Sequence, residues 1–487
     1  MKGTLFQLVD EVTPANLKQA MQQAIEIEIA TIPVYLYTYY SITRVPDQAT
    51  VLKQILDDFK RIDTNGHSEE ELQEAAEKLA LDIMVFANKA GALIMSVAVE
   101  EMLHMSLSSN IKNALKHHGG LPELVGKTPK EWPAYLPGHQ PPFPINRAKL
   151  TLDQLYTFLL IESPLPVVPN QNLRAQAITY DTIGDYYKKI EDCMRDHLTD
   201  DDFNPDAPQL INSEYYAQNN VDTVYYDKDH QPKFSNEDDS GGLIHVRGVD
   251  SAIKAMDEIV EQGEGATRFE HGHKEVGDHL TPDGKVVCPI DFDPLSYDDP
   301  SKGELSHFDK FLEIYCTITR TNHRLNDFLG TQDFDYSKYF ITDLPTNTEN
   351  ATYPETIQKI NTLTNAIYTY IFVMAEGCYK KAGHTQFEIF MFGIHKSMIW
   401  LLNVLSESMA TMVYREGTGT DLKRVAVTFE DYDFAISNDS PKEQILSMAK
   451  ELIGVEYEVE SNGVTSKSVI VSQGTYDRMS DLPDVAL

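Results

Sequence analysis

Residues 97–110 read VAVEEMLHMSLSSN. Between Ala90 and Asn110 the ionisable side chains are Glu100, Glu101 and His104, set among Leu93, Ile94, Met95, Val97, Val99, Met102, Leu103, Met105 and Leu107. A helix that is apolar around its whole circumference is a buried one. A charge inside such a helix is costly unless something pairs with it. Glu101 and His104 are three residues apart, so they share one helix face with Ile94, Val97, Ala98 and Met105.

The spacing recurs at residues 304–308, which read ELSHF. Glu304 and His307 are expected on one apolar face that continues to Phe308, Phe311 and Ile314, on a helix over about residues 302–328. Lys302, Asp309, Lys310 and Glu313 are expected in other, more polar directions. One Glu-x-x-His arises by chance in many chains. Two on apolar faces suggest the dinuclear carboxylate site of a four-helix bundle, which also needs one Glu from each of two further helices.

The chain offers both. A helix over about residues 14–40, capped by Thr13 with Pro14 at its first position, lines Glu28 up with Leu17, Met21, Ala24, Thr31 and Tyr35. A helix over about residues 249–263 lines Glu264 up with Val249, Ile253, Met256 and Val260. The expected ligand set is therefore Glu28, Glu101, His104, Glu264, Glu304 and His307. Glu162 ends a short helix with Leu155, Phe158 and Leu159 on its face; it could take the place of Glu264 or sit behind the ligands. Glu100 lies one step off the ligand face, suited to a pair between helices. Tyr35 and Tyr39 follow Glu28 along its face, as pocket walls, as redox-active tyrosines or as core aromatics. Oxygen-rich ligation of this kind suits two divalent metal ions, iron first and manganese second. Such ions act on O2 or peroxide, with a small organic molecule as substrate.

The whole chain sets outer limits. It has 487 residues, with 41 Lys and Arg against 75 Asp and Glu, a net charge of −34. That balance argues against nucleic acid and against an anionic membrane surface as partners. No signal-peptide pattern is read at the N-terminus, and no run of about twenty uncharged apolar residues is read as a membrane span. Four scattered cysteines without CxxC spacing are expected as buried thiols, which makes a reducing cytoplasm the default. A homo-oligomer is compatible with all of this.

The fold class expected is mainly α. A four-helix bundle of ferritin-like form fills residues 1–330, with inserted loops at about 120–248 and 265–300. Residues 331–487 form a C-terminal helical region ending in a small hairpin, since VEYEVESNGVTSKSVIV alternates about Asn462-Gly463.

In order along residues 5–330, the chain carries AIEIEIATIPVYLYTYYSI, VAVEEMLHMSLSSNIKNAL followed by GGLPE, FLLIESPLP, YDTIGDYYKKI, EQGEG and ELSHFDKF. This combined set resembles the ferritin-like domain family of iminophenylpyruvate dimer synthases, known from violacein- and rebeccamycin-type biosynthesis. The resemblance implies a dimetal bundle and, for its long multidomain members, oxidative coupling of imino acids derived from aromatic amino acids. Two further readings use the same ligands: iron handling or peroxide removal without an organic substrate, and a non-catalytic scaffold.

Overall fold

The computed structural model describes residues 8–136, 143–163, 182–211, 244–264, 280, 285–288, 306–415, 421–461 and 463–487; for Glu264 it describes the backbone alone. The architecture is mainly helical, as the sequence predicts.

Helix α1 (Leu17–Tyr40) runs through Pro33 without a break and buries nearly its whole length. Its N-cap is Asn16, not Thr13, and the Asn16 side chain bonds back to Thr13 N–H at 2.7 Å instead of to the helix. Helix α2 (Gln48–Ile62) lays Val51, Ile55 and Phe59 against the bundle, a stripe that the sequence reading passed over. Helix α3 (Glu69–Ala114) starts ten residues earlier than the apolar periodicity suggests. Ser68 and Glu71 form a reciprocal capping box ahead of its amphipathic first half. Every residue from Lys89 to Lys112 is buried, because α1 and the later bundle helices pack around this half.

Helices α4 (Leu152–Ile161), α5 (Ile183–His197), α6 (Val249–Glu264) and α7 (His307–Leu329) complete the site-bearing part. Helix α4 packs on α7, and α6 packs on α3, α5 and α7. Tyr35 of α1, Phe158 of α4 and Phe311 of α7 join three of these helices, with ring centroids 4.8–5.2 Å apart. The start of α7 departs from expectation. Ser306 is its N-cap, extended at φ −65° and ψ 165°, with its hydroxyl accepting from Asp309 N–H. Helical spacing does not run through an extended cap, so the argument that set Glu304 on one helix face with His307 fails there. Glu304 itself lies outside the described residues.

Beyond residue 330, α8 (Glu355–Lys380) pairs with α9 (His384–Thr411), which winds through two π-helical stretches, Ile389–Ile394 and Lys396–Leu402. Short hairpins β1 (Ala134–Tyr135) with β2 (Pro144–Ile145) and β3 (Val413–Arg415) with β4 (Leu422–Arg424) flank the helices. Helix α10 (Pro441–Leu452) precedes the hairpin of β5 (Glu456–Ser461) and β6 (Val464–Val469), in register from Glu456↔Val469 to Ser461↔Val464, and α11 (Gln473–Ser480) follows. One buried apolar cluster continues from Ile25 of α1 to Leu482, and Ile42 bridges to Ile341, so the bundle and the C-terminal region share a core.

Helices α3 and α9 are long and apolar enough to cross a membrane, but about 72% and 67% of their most apolar windows lie inside the protein, as in buried core helices. One expectation needs correction. Cys288 and Cys316 form a disulfide with Cα atoms 5.4 Å apart, while Cys193 and Cys378 are buried thiols. The disulfide removes the argument from four free thiols to a reducing compartment; sequence spacing could not reveal it because the two cysteines are 28 positions apart, one of them inside α7.

Candidate metal centre

The buried half of α3 presents Glu101 and His104 toward α1, α4 and α7. Glu101 is 3% exposed, His104 2% and His307 0%. One ligand atom from each of these three lies within 4.8 Å of the others, and the two imidazole centroids are 5.2 Å apart. Glu28 of α1 places Oε2 3.7 Å from His104 Nδ1. Glu162, at the C-cap of α4, places Oε2 3.5 Å from His307 Nδ1, and Glu101 Oε1 lies 3.1 Å from the same nitrogen. A small cavity of about 20 Å³ reaches this cluster. Glu28, Glu101, His104 and Glu162 line its floor, and Ile183, Tyr187, Ile259 and Val260 line its walls.

Each carboxylate is held from behind. Thr31 donates its hydroxyl to Glu101 Oε2 at 2.7 Å. The Tyr187 hydroxyl donates to Glu28, and the Tyr35 hydroxyl donates to Glu162. Gly263 of α6 faces Glu162, where a Cβ would sit 3.2 Å from Oε2. A side chain at 263 would crowd the carboxylate.

The imidazoles are backed in the same manner. His104 Nε2 is 3.0 Å from the amide oxygen of Gln262, and His307 Nε2 is 2.8 Å from Glu100 Oε2. Both partners accept hydrogen bonds, so Nε2 carries the proton in each ring and Nδ1 keeps its lone pair. Both lone pairs then face carboxylate oxygens. His307 Nδ1 is buried and makes no properly aligned hydrogen bond. Acceptors aimed at acceptors in a dry site call for a cation or for protons between them.

Protonation follows that need. Burial, together with the charges of Glu28 and Glu162, pushes the Glu101 carboxyl up to about 7 against the pull of His307. Burial opposes charge on both imidazoles, yet Glu28 and Glu101 raise His104. The carboxylates of Glu162, Glu100 and Glu101 raise His307 well above the ordinary histidine range. Glu28 also pays a burial penalty, but His104 and Tyr187 hold it below the ordinary carboxylate range. The donor set, three carboxylates and two imidazoles with converging lone pairs, fits a pair of divalent metal ions.

Of the residues singled out from sequence, Glu28, Glu101, His104, His307 and Glu162 meet here. Glu264 is the last residue of α6, next to Gly263; its side chain, like all of Glu304, lies outside the described residues. Glu100 sits behind His307, bonded to Lys310 Nζ at 2.7 and 2.6 Å. Burial opposes its charge, but Lys310 and His307 outweigh that and hold the carboxyl down at about 2. Tyr35 reaches the cluster, whereas Tyr39 does not: its ring lies under Arg44, 4.9 Å away, and it does not line the cavity. Lys310 and Glu313, expected on polar directions, are 1% and 2% exposed; Glu313 pairs with buried Lys89 of α3. Tyr187 and Gln262 were not singled out. A tyrosine or glutamine on an amphipathic helix carries no periodic signal that separates a hydrogen-bond partner from a core or rim residue.

One expected result arises directly. Tyr187→Phe removes a donor from Glu28 without changing the packing volume much. Outer-shell losses of this kind cost 10–100-fold in metal affinity. We expect about a tenfold weaker affinity in chelator competition; unchanged affinity would mean that Glu28 is not a ligand.

Among solved structures, the chain is similar to a ferritin-like protein from Caulobacter vibrioides, at 18% identity and a TM-score of 0.40, over 81% of this chain and 97% of that one. No curated protein matches it. The family model named ferritin-like matches residues 21–316, which include every side chain of the cluster just described. The chain belongs to the ferritin-like family.

Proposed function

We propose that the protein is a dimetal-carboxylate oxidoreductase that uses O2 or peroxide on a small organic substrate. Glu28, Glu101, His104, Glu162 and His307 would hold two divalent ions, iron first and manganese second, with Glu264 and Glu304 as further ligands at the ends of the insertion between α6 and α7. Bound metals would supply the redox chemistry. The chain's own residues do the rest. Thr31, Tyr187 and Tyr35 fix carboxylate orientation, while Gln262 and Glu100 fix both imidazole tautomers. Ile183, Ile259 and Val260 give the small cavity beside the cluster an apolar lining, which suits an organic substrate better than a hydrated ion.

The observation that carries this reading is the pair of Nδ1 lone pairs converging on buried carboxylates, with each Nε2 tied behind. The apolar lining favours an organic substrate over iron handling alone. Following the resemblance in sequence, the finer proposal is oxidation or oxidative coupling of an imine derived from an amino acid.

Anaerobic Fe(II) loading followed by elemental analysis tests the metal part: about two ions per chain are expected, and no more than about one in His307→Ala. Failure of the wild type to retain iron or manganese would overturn the proposal. Exposure of the loaded protein to O2 with aromatic 2-imino acids, read by mass spectrometry, tests the finer part.

A further inference from the structure

We infer that the two metal positions are unequal, and that Glu100, clamped by Lys310, makes the position at His307 the tighter one and the first to fill. This rests on the dimetal reading above.

The two imidazoles have the same arrangement but different backing. His104 Nε2 faces the amide oxygen of Gln262, a neutral acceptor, and the Gln262 amide nitrogen is turned toward Glu258 Oε1 at 3.5 Å, which fixes the oxygen toward His104. His307 Nε2 faces a carboxylate at 2.8 Å. A carboxylate draws on the Nε2 proton more strongly than an amide does, so it leaves Nδ1 the better electron donor. Lys310 contacts both oxygens of Glu100, and His307, Glu100 and Lys310 are no more than 2% exposed as residues. Lys310 therefore offsets the Glu100 charge and holds both of its oxygens in place behind His307.

The near ligands lean the same way. His307 Nδ1 has two carboxylate oxygens close by, at 3.1 and 3.5 Å, whereas the oxygen of Glu28 lies 3.7 Å from His104 Nδ1. Among the described residues, more negative charge and a more basic imidazole both fall on one side of the site. Glu100 and Lys310 touch no metal position themselves; they are positioning residues that act through His307.

The test is an anaerobic titration of the full-length protein with Mn(II), read by the loss of free-ion paramagnetic resonance. The wild type is expected to show two affinities at least about tenfold apart. Glu100→Gln is expected to weaken the first by about 10–100-fold and to leave the second within about threefold. Because that change strands the Lys310 charge, Glu100→Gln/Lys310→Met is measured beside it, and circular dichroism reports folding. The double variant is expected to fold and to show the same selective loss. Gln262→Glu is expected to tighten the second affinity and narrow the gap. Two equal affinities in the wild type, or equal weakening of both in the folded double variant, would overturn the inference while leaving the dimetal reading intact. Failure of the wild type to take up any Mn(II) or Fe(II) would overturn both.

Discussion

Lys310→Met is expected to be the most destabilising single change near the site. It leaves Glu100 buried, charged and without its closest cation. Breaking a buried pair by removing one partner costs about 3–5 kcal/mol. Urea unfolding of the metal-free protein measures it. Lys310→Met/Glu100→Gln is expected to recover most of the loss, because a neutral pair of similar volume leaves no stranded charge. A loss below about 1 kcal/mol for Lys310→Met would mean that the network of His307, Glu100 and Lys310 does not stabilise the fold.

Glu101→Gln has an effect of opposite sign on the metal-free protein. Here the folded carboxyl titrates at about 7, above its ordinary value of 4.5. A raised acid destabilises the fold wherever it is ionised: the cost is absent below the unfolded value, grows as pH rises toward 7, and is constant above. Glutamine keeps the shape and the acceptor for Thr31 without the charge. At pH 8 the metal-free variant is therefore expected to be more stable than wild type by about 3 kcal/mol. Near pH 4 the difference should vanish. Metal binding should fall in the same variant, since an amide is a poor ligand for these ions. Stability gained together with metal lost is the mark of a binding site rather than of a packing residue. The same titration makes metal uptake by the wild type weaken below about pH 7, with protons released on binding, because protons occupy Glu101 and the imidazoles when no cation does.

The part of the site on α1 and α3 was legible from sequence, and the reason is geometric. Glu28, Glu101 and His104 lie on long unbroken helices, where three- and four-residue spacing translates directly into shared faces. Legibility ended where helices end. Glu162 sits at a C-cap, so periodicity alone could not choose between it and Glu264. Glu304 precedes an extended cap, so its spacing from His307 carries no face. Lys310 and Glu313 looked solvated because charged side chains usually are. Their partners, Glu100 and Lys89, stand on another helix about 200 positions away.

The fold shows the same pattern. The apolar stretch of α3 announced itself, but its amphipathic first half and all of α2 did not, since both take their meaning from a neighbour. The disulfide between Cys288 and Cys316 likewise depends on a distance that only the folded chain defines.

The central claim is that Glu28, Glu101, His104, Glu162 and His307 bind two metal ions. Crystals grown from anaerobically Fe(II)-loaded protein, measured on both sides of the iron absorption edge, test it most directly. The account predicts two anomalous peaks inside this cluster, each within ligand distance of one histidine Nδ1. No peak there, or iron bound only at surface carboxylates, would contradict it.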